Sequence, residues 1–279
     1  MKNVKEILKQ GQEQLKKYNI DTSEARLLLA FVLNIDKTKI YCIEECDDSI
    51  SDRFFECINK RCMNIPYAYI TQMQEFMKLP FKVNNNVLIP RQDTEVLVEN
   101  VVQIAKNINA DNIKVLDMCT GSGCIAISID RYINKANVVA VDISKEALEV
   151  AQINNQMNNT NVEFIQSNLF ENLTDKEFDI IVSNPPYIPS EDITKLQKEV
   201  LHEPIIALDG GKDGLDIYRM IIIFSKEYLN ENGYLILEIG FDQAKDIVEL
   251  LKEEGYVNIE VIKDLANNDR VIKCRFLKR

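Results

Sequence analysis

Ile113-Lys114-Val115-Leu116-Asp117-Met118-Cys119-Thr120-Gly121-Ser122-Gly123-Cys124-Ile125-Ala126 decides the fold. The stretch opens as a short apolar run of strand length, passes Gly121 and Gly123, and turns at once into an apolar helical pattern. Glycines at that junction let the backbone approach a ligand at the mouth of the following helix. The same rhythm continues downstream. Strands are expected at 113–117, 137–141, 162–166, 178–183, 233–239, 256–262 and 270–276, and helices at 124–133, 144–157, 215–229 and 241–253. This alternation predicts an α/β fold with a mostly parallel sheet and helices on both faces. The last two strands have no helix between them and should form an antiparallel pair at the sheet edge.

Upstream the texture differs. Val4, Ile7, Leu8 and Leu15 form an apolar stripe. Asp21-Thr22-Ser23-Glu24 reads as the start of a second helix through Ala25 to Leu33, and Ser51 or Asp52 as the cap of a third carrying Phe54, Phe55, Ile58 and Met63. Residues 1–65 therefore read as a small helical domain. Pro66 to Thr71 and Phe76 to Val83 alternate and are rich in aromatics, which predicts two short strands of a hairpin linker over 66–92. Asp93 then reads as a helix cap, opening a larger domain over 93–279. Asn154 to Asn161 is Asn-rich and reads as a helix end and loop.

The 279 residues suffice for one large domain or two smaller ones, with ample core. No apolar run is long enough to cross a bilayer, and Met1-Lys2-Asn3-Val4-Lys5-Glu6 opens no signal peptide, so the cytoplasm is expected and a membrane partner is not. Seven cysteines, an odd number, suit reduced thiols. Cys42, Cys46, Cys57 and Cys62 lack the spacing of a zinc site, and no metal is expected. A net charge of −11 opposes a grip on many phosphates and tilts the expectation toward a protein or small-molecule substrate.

Four successive strand ends carry chemistry. The first offers the loop Cys119-Thr120-Gly121-Ser122-Gly123; the second, after Val138 to Val141, ends in Asp142, placed to accept both hydroxyls of a ribose. The third ends at Asn168-Leu169, where Asn168 can bond an adenine edge. Those three features fit NAD or S-adenosylmethionine equally. The fourth, Asn184-Pro185-Pro186-Tyr187, separates them. Two prolines fix their φ angles and remove two N–H donors, leaving carbonyls, the Asn184 amide and an aromatic face. Such an acceptor-lined turn suits an –NH2 group, which a methyl transfer to nitrogen needs and a hydride transfer does not. A rigid turn after a strand is the plain alternative.

Over nearly its whole length the chain resembles the bacterial release factor glutamine methyltransferases. The resemblance rests on Pro66 to Thr71, Glu75-Phe76, Val87 to Glu95, the glycine loop, Val141-Asp142, Asn184 to Ile188, Glu203-Pro204 through Leu208, Gly210-Gly211-Lys212-Asp213-Gly214-Leu215 and Asp269-Arg270-Val271. It implies a Rossmann-like class I methyltransferase sheet, with S-adenosylmethionine as cofactor and S-adenosylhomocysteine as product. The substrate implied is the glutamine of the release factor Gly-Gly-Gln motif, the N-terminal helices docking that protein. A single acting chain without direct nucleic acid contact is expected. The chain departs from the family pattern at Gln92, where Pro is usual, at Cys119 for a first glycine, at Asn168 for Asp, and at Asn267-Asn268 for a Gly-bearing loop. Cys119 can follow the turn with a negative φ.

The chemistry expected places one substrate N–H on the Asn184 side-chain oxygen and the other on the Pro185 carbonyl, aiming the nitrogen at the methyl group. Tyr187 would pack on glutamine or cofactor, or serve as a core aromatic. Arg91 fits an interdomain salt bridge and a substrate contact equally. The lone histidine, His202, is not needed as a base. Two rivals share the motifs: a DNA or RNA exocyclic-amine methyltransferase, and a non-catalytic cofactor-binding protein.

Overall fold

Asn3 starts the first helix. Its side chain accepts from the Lys5 and Glu6 amides at 3.0 and 3.2 Å, taking two of the donors that a helix start leaves free. The computed structural model describes residues 1–108, 112–174 and 177–277. They divide into two compact units, Met1–Met73 with Gln197–His202, and Gln74–Leu196 with Glu203–Arg279.

The first unit holds α1 (Val4–Lys17), α2 (Ser23–Leu33), α3 (Asp48–Cys62) and α4 (Tyr67–Thr71), with a two-residue pairing of β1 (Lys2–Asn3) and β2 (Glu45–Cys46). Leu15, Leu28, Phe54 and Ile58 are fully enclosed in its core, with Cys46, Cys57 and Cys62 as small fillers. Two expectations fail here. The third helix starts at Asp48, so Ser51 is a buried residue inside it rather than its cap. Pro66 to Thr71 is a helical turn, not a strand. Ala68 and Thr71 face inward, and the Thr71 hydroxyl bonds back to the Tyr67 carbonyl at 3.1 Å, before Gln72 ends the turn at φ 57. Aromatic alternation over six residues cannot distinguish these outcomes. The hairpin follows instead as β3 (Met73–Phe76) and β4 (Leu79–Lys82). Arg61 is buried and ion-paired to Glu24 and Glu199, both at 2.5 Å, which ties Gln197–His202 to this unit.

The second unit is a seven-stranded sheet in the order β10-β11-β9-β8-β5-β6-β7. The strands are β5 (Lys114–Met118), β6 (Asn137–Asp142), β7 (Glu163–Gln166), β8 (Phe178–Ser183), β9 (Leu229–Glu238), β10 (Val257–Lys263) and β11 (Asp269–Arg275). From β9 to β7 all pairs are parallel, while β11 runs antiparallel to β9 and β10. The helices are α5 (Glu95–Ile108), α6 (Cys124–Tyr132), α7 (Lys145–Met157), α8 (Asp216–Tyr228) and α9 (Ala244–Glu253). Asp93 lies in the 3-10 turn Gln92–Thr94 that leads into α5, rather than at its cap.

Alternate strand residues feed two cores. Val115, Val138, Ala140, Ile180 and Val182 join the hairpin residues Phe76 and Phe81 with Leu97 and Val101 of α5. Leu116, Val139, Val141, Ile181 and Leu235 join Tyr218 and Ile221 of α8 and Ile247 of α9. Burial on both faces is why the central strands read as continuous apolar runs. Because β5 to β9 run parallel, their C-terminal ends fall on one edge, where the loops carrying the polar motifs gather.

Candidate active site

A cavity of about 550 Å³ lies over those strand ends, lined by residues of the second unit. At the end of β5 the backbone is left-handed at Cys119 (φ 61), Gly121 (φ 54) and Gly123 (φ 80). The negative φ expected for Cys119 is therefore wrong. The turn needs a left-handed residue there, which is where the family pattern has glycine. The loop is held from beneath by Asp117, whose Oδ2 accepts from the Thr120 hydroxyl at 2.6 Å and the Ala126 amide at 3.2 Å. Burial pushes the Asp117 carboxyl up to about 7. A β-carbon on Gly121 would meet nothing within 4 Å, so its bare backbone faces open space.

Asp142 closes the loop from β6. One carboxylate oxygen accepts from the Gly121 amide at 2.8 Å and the other from the Ser144 amide at 2.9 Å. Burial raises its pKa against those two amide bonds. Each oxygen keeps a lone pair for a ligand hydroxyl. Beyond β7, Asn168 donates to Glu171 at 2.8 Å, which leaves its amide oxygen open, and Leu169 stands at φ 49 beside it. Asp142, Asn168 and Leu169 line the cavity together with Cys119, Thr120, Gly121 and Ser122.

Asn184 and Pro186 reach the same cavity from β8. The Asn184 Nδ2 group lies 3.4 Å from the Thr94 hydroxyl oxygen. Pro185 is buried, and Gly123, Pro185 and Tyr187 do not line the cavity. Tyr187 packs against the second core, and burial pushes its phenol up to about 12. The turn is locked from outside. Ile188 donates to the Leu208 carbonyl and accepts from the Gly210 amide, both at 2.9 Å, while Gln243 donates to the Tyr187 carbonyl at 3.0 Å. Arg91 lines the cavity and pairs with the buried Glu203, which also accepts from the Ile89 amide at 3.0 Å. Both partners belong to the second unit, so this is not the interdomain bridge anticipated as one of its two roles. His202 lies outside the cavity with its ring nitrogen 3.2 Å from the Met63 carbonyl.

Sequence reasoning did not single out Thr94, which lines the cavity, Glu203, which anchors Arg91, or the buried Glu238. Glu238 did carry a signal, a carboxylate closing the apolar run Leu235-Ile236-Leu237. Thr94 and Glu203 lie in segments that carry the family resemblance, but nothing in the sequence reports their partners, which are remote in the chain.

This parallel sheet with an antiparallel edge, its motifs gathered at successive strand ends, is the class I methyltransferase fold. Residues 92–211 match the methyltransferase small domain, and residues 6–71 match the PrmC N-terminal domain. The release factor glutamine methyltransferase of Clostridium acetobutylicum is 41% identical over 280 residues, covering 96% of this chain and 97% of that protein. That of Thermodesulfovibrio yellowstonii is 38% identical, covering 93% and 94%. The chain belongs to the release factor glutamine methyltransferase family. A Thermus thermophilus 16S rRNA N2 G1207 methyltransferase, solved with AdoMet and guanosine, shares the fold at TM-score 0.54 and 18% identity, covering 74% of this chain and 50% of that one.

Proposed function

We propose that this protein methylates the side-chain amide nitrogen of the glutamine in the Gly-Gly-Gln motif of peptide chain release factors. One observation carries the reading: Asn184 shares a single cavity with the Gly121 loop and Asp142. The cavity suits S-adenosylmethionine. Gly121 leaves space for a close approach, Asp142 keeps a lone pair on each oxygen, and the open Asn168 oxygen can accept an adenine amine. When bound, that cofactor supplies an electrophilic methyl group on a sulfonium.

The chain's own residues act on the glutamine. An amide nitrogen is a weak nucleophile because its lone pair is shared with the carbonyl. Asn184 Oδ1 accepts one N–H, which fixes the nitrogen and helps aim its lone pair; positioning of this kind lowers a barrier by several kcal/mol. Tyr187 holds the turn in place from the core. Arg91, with its exposed guanidinium anchored on Glu203, meets the substrate backbone. No strong base is required, since the N–H grows acidic as the methyl group arrives.

A nucleobase amine would satisfy the same acceptors, but the net charge of −11 opposes a nucleic acid partner. Among the described residues no helix is long and apolar enough to cross a membrane, and action in the cytoplasm on release factors fits that. The N-terminal helices serve as the docking module for the release factor. Purified protein, labelled cofactor and release factor provide the test. Mass spectrometry should place one methyl group on the Gly-Gly-Gln glutamine; label on RNA or DNA, with none on release factor, would overturn the reading.

A further inference from the structure

An amide side chain presents two ends of nearly the same shape, and only its neighbours decide which end faces a ligand. Asn184 meets one such neighbour, the Thr94 hydroxyl oxygen, 3.4 Å from Nδ2. Thr94 is buried in the turn that precedes α5 and reaches the cavity wall. Glu238, the last residue of β9 and 2% exposed, has the Thr94 side chain within hydrogen-bonding reach; β9 runs parallel to β8, with Leu237 opposite Ser183. We propose that Thr94 and Glu238 are positioning residues that set which end of the Asn184 amide faces the cavity. The inference rests on the reading of Asn184 as the acceptor for the substrate amide.

The logic is one of donors and acceptors. A hydroxyl has a single hydrogen. An ionised carboxylate can only accept, so Glu238 takes that hydrogen, and Thr94 is left with lone pairs alone for Asn184. It therefore binds Nδ2 and turns Oδ1 toward the substrate. A protonated Glu238 can donate to Thr94 instead, which frees the hydroxyl hydrogen for Oδ1 and favours the reversed amide. Burial pushes the Glu238 carboxyl up to about 7, against the opposing hydrogen bond from Thr94. Its Oε2 has no hydrogen-bond partner among the described residues. The charged and titratable groups that act on it, among the described residues, are Arg91 and Asp93, both partly exposed, and Arg270, Tyr187, Tyr218 and Cys124.

The test compares Thr94→Val, Thr94→Ser and Glu238→Gln with the parent protein. It uses release factor methylation, cofactor calorimetry and the side-chain amide resonance of Asn184 in 15N-labelled protein. Thr94→Val keeps the shape and loses the hydroxyl. Its kcat should fall about 10- to 100-fold with cofactor affinity held, and the Asn184 Nδ2 resonance should move. Thr94→Ser should restore both. The parent kcat should rise with pH through the Glu238 transition near 7, and Glu238→Gln should flatten that rise. A folded Thr94→Val protein with kcat within about twofold of the parent and an unmoved resonance overturns the inference. The resonance needs no substrate. A parent protein that methylates no glutamine therefore defeats the functional reading alone, while the amide shift still judges the positioning.

Discussion

A β-carbon added at Gly214 would lie 2.3 Å from the carbonyl oxygen of Tyr187. Gly214 stands at φ 76, in the segment Gly210 to Leu215, and the turn Asn184 to Tyr187 is packed directly against it. Two sequence motifs that look independent are therefore one built object. Gly214→Ala must strain its own backbone and displace the Tyr187 carbonyl. It should cost about 2–5 kcal/mol of stability, from the left-handed backbone and the overpacking together. Urea denaturation checks this, and a cost below about 1 kcal/mol would separate the two motifs.

Asp142 bridges the Gly121 and Ser144 amides, so its loss removes both the ribose acceptor and the brace of the glycine loop. Asp142→Ala should weaken S-adenosylmethionine binding about 10- to 100-fold, the range for hydrogen bonds to a charged group. Asn184→Ala should keep cofactor affinity within a few fold and nearly abolish turnover. Calorimetry beside a methylation assay reads both, and the reverse pattern would exchange the roles assigned to the two residues.

Asn154 is fully buried and holds three backbone groups: it donates to the Lys82 carbonyl at 3.0 Å and the Ser122 carbonyl at 2.9 Å, and accepts from the Lys82 amide at 2.6 Å. It joins the β3–β4 hairpin, α7 and the glycine loop. Asn154→Ala leaves those groups unpaired in the interior, at a cost of roughly 1–3 kcal/mol or more. Thermal unfolding should show a clear drop, and amide exchange should rise first at Lys82.

The contrast between Asn154 and Val115 shows what the sequence could disclose. Val115 declares its place through periodicity, because a strand buried on both faces must be apolar along its length. The alternation of such strands with helices is a local signal, and it was enough for the sheet, its antiparallel edge and the four strand ends. Asn154 and Asn158 sit in an Asn-rich stretch that reads as a helix end and loop, yet both bond the hairpin, Asn158 donating to the Pro80 carbonyl at 2.9 Å. Nothing near them in the chain reports those partners. The same holds for Thr94 beside Asn184. Cys119 failed for another reason: the sign of φ is set by the turn, and only the departure from glycine hinted at strain. Cys119→Val should lose stability by about 1–2 kcal/mol beyond any packing effect, since a β-branched residue tolerates a left-handed backbone poorly.

Asp117 makes stability fall with pH. Its carboxyl is fully buried, and burial raises its pKa from 3.8 to about 7. Between those values the folded chain keeps a proton that the unfolded chain releases. Stability is therefore greatest on the acid side of the window, falls as pH rises toward 7, and levels off above it. Glu238, raised from 4.5 to about 7, adds a second slope of the same sign. Asp117→Asn removes the first slope and leaves the second. Its amide oxygen can still accept from Thr120 and Ala126, while its NH2 takes the place of Oδ1, which has no partner among the described residues. Any cost of that burial is constant with pH. Relative to the parent, the variant should therefore gain roughly 1–3 kcal/mol between the acid and alkaline ends of the window. Urea denaturation across the window measures the difference, and parallel curves for the two proteins would mean that Asp117 does not titrate there.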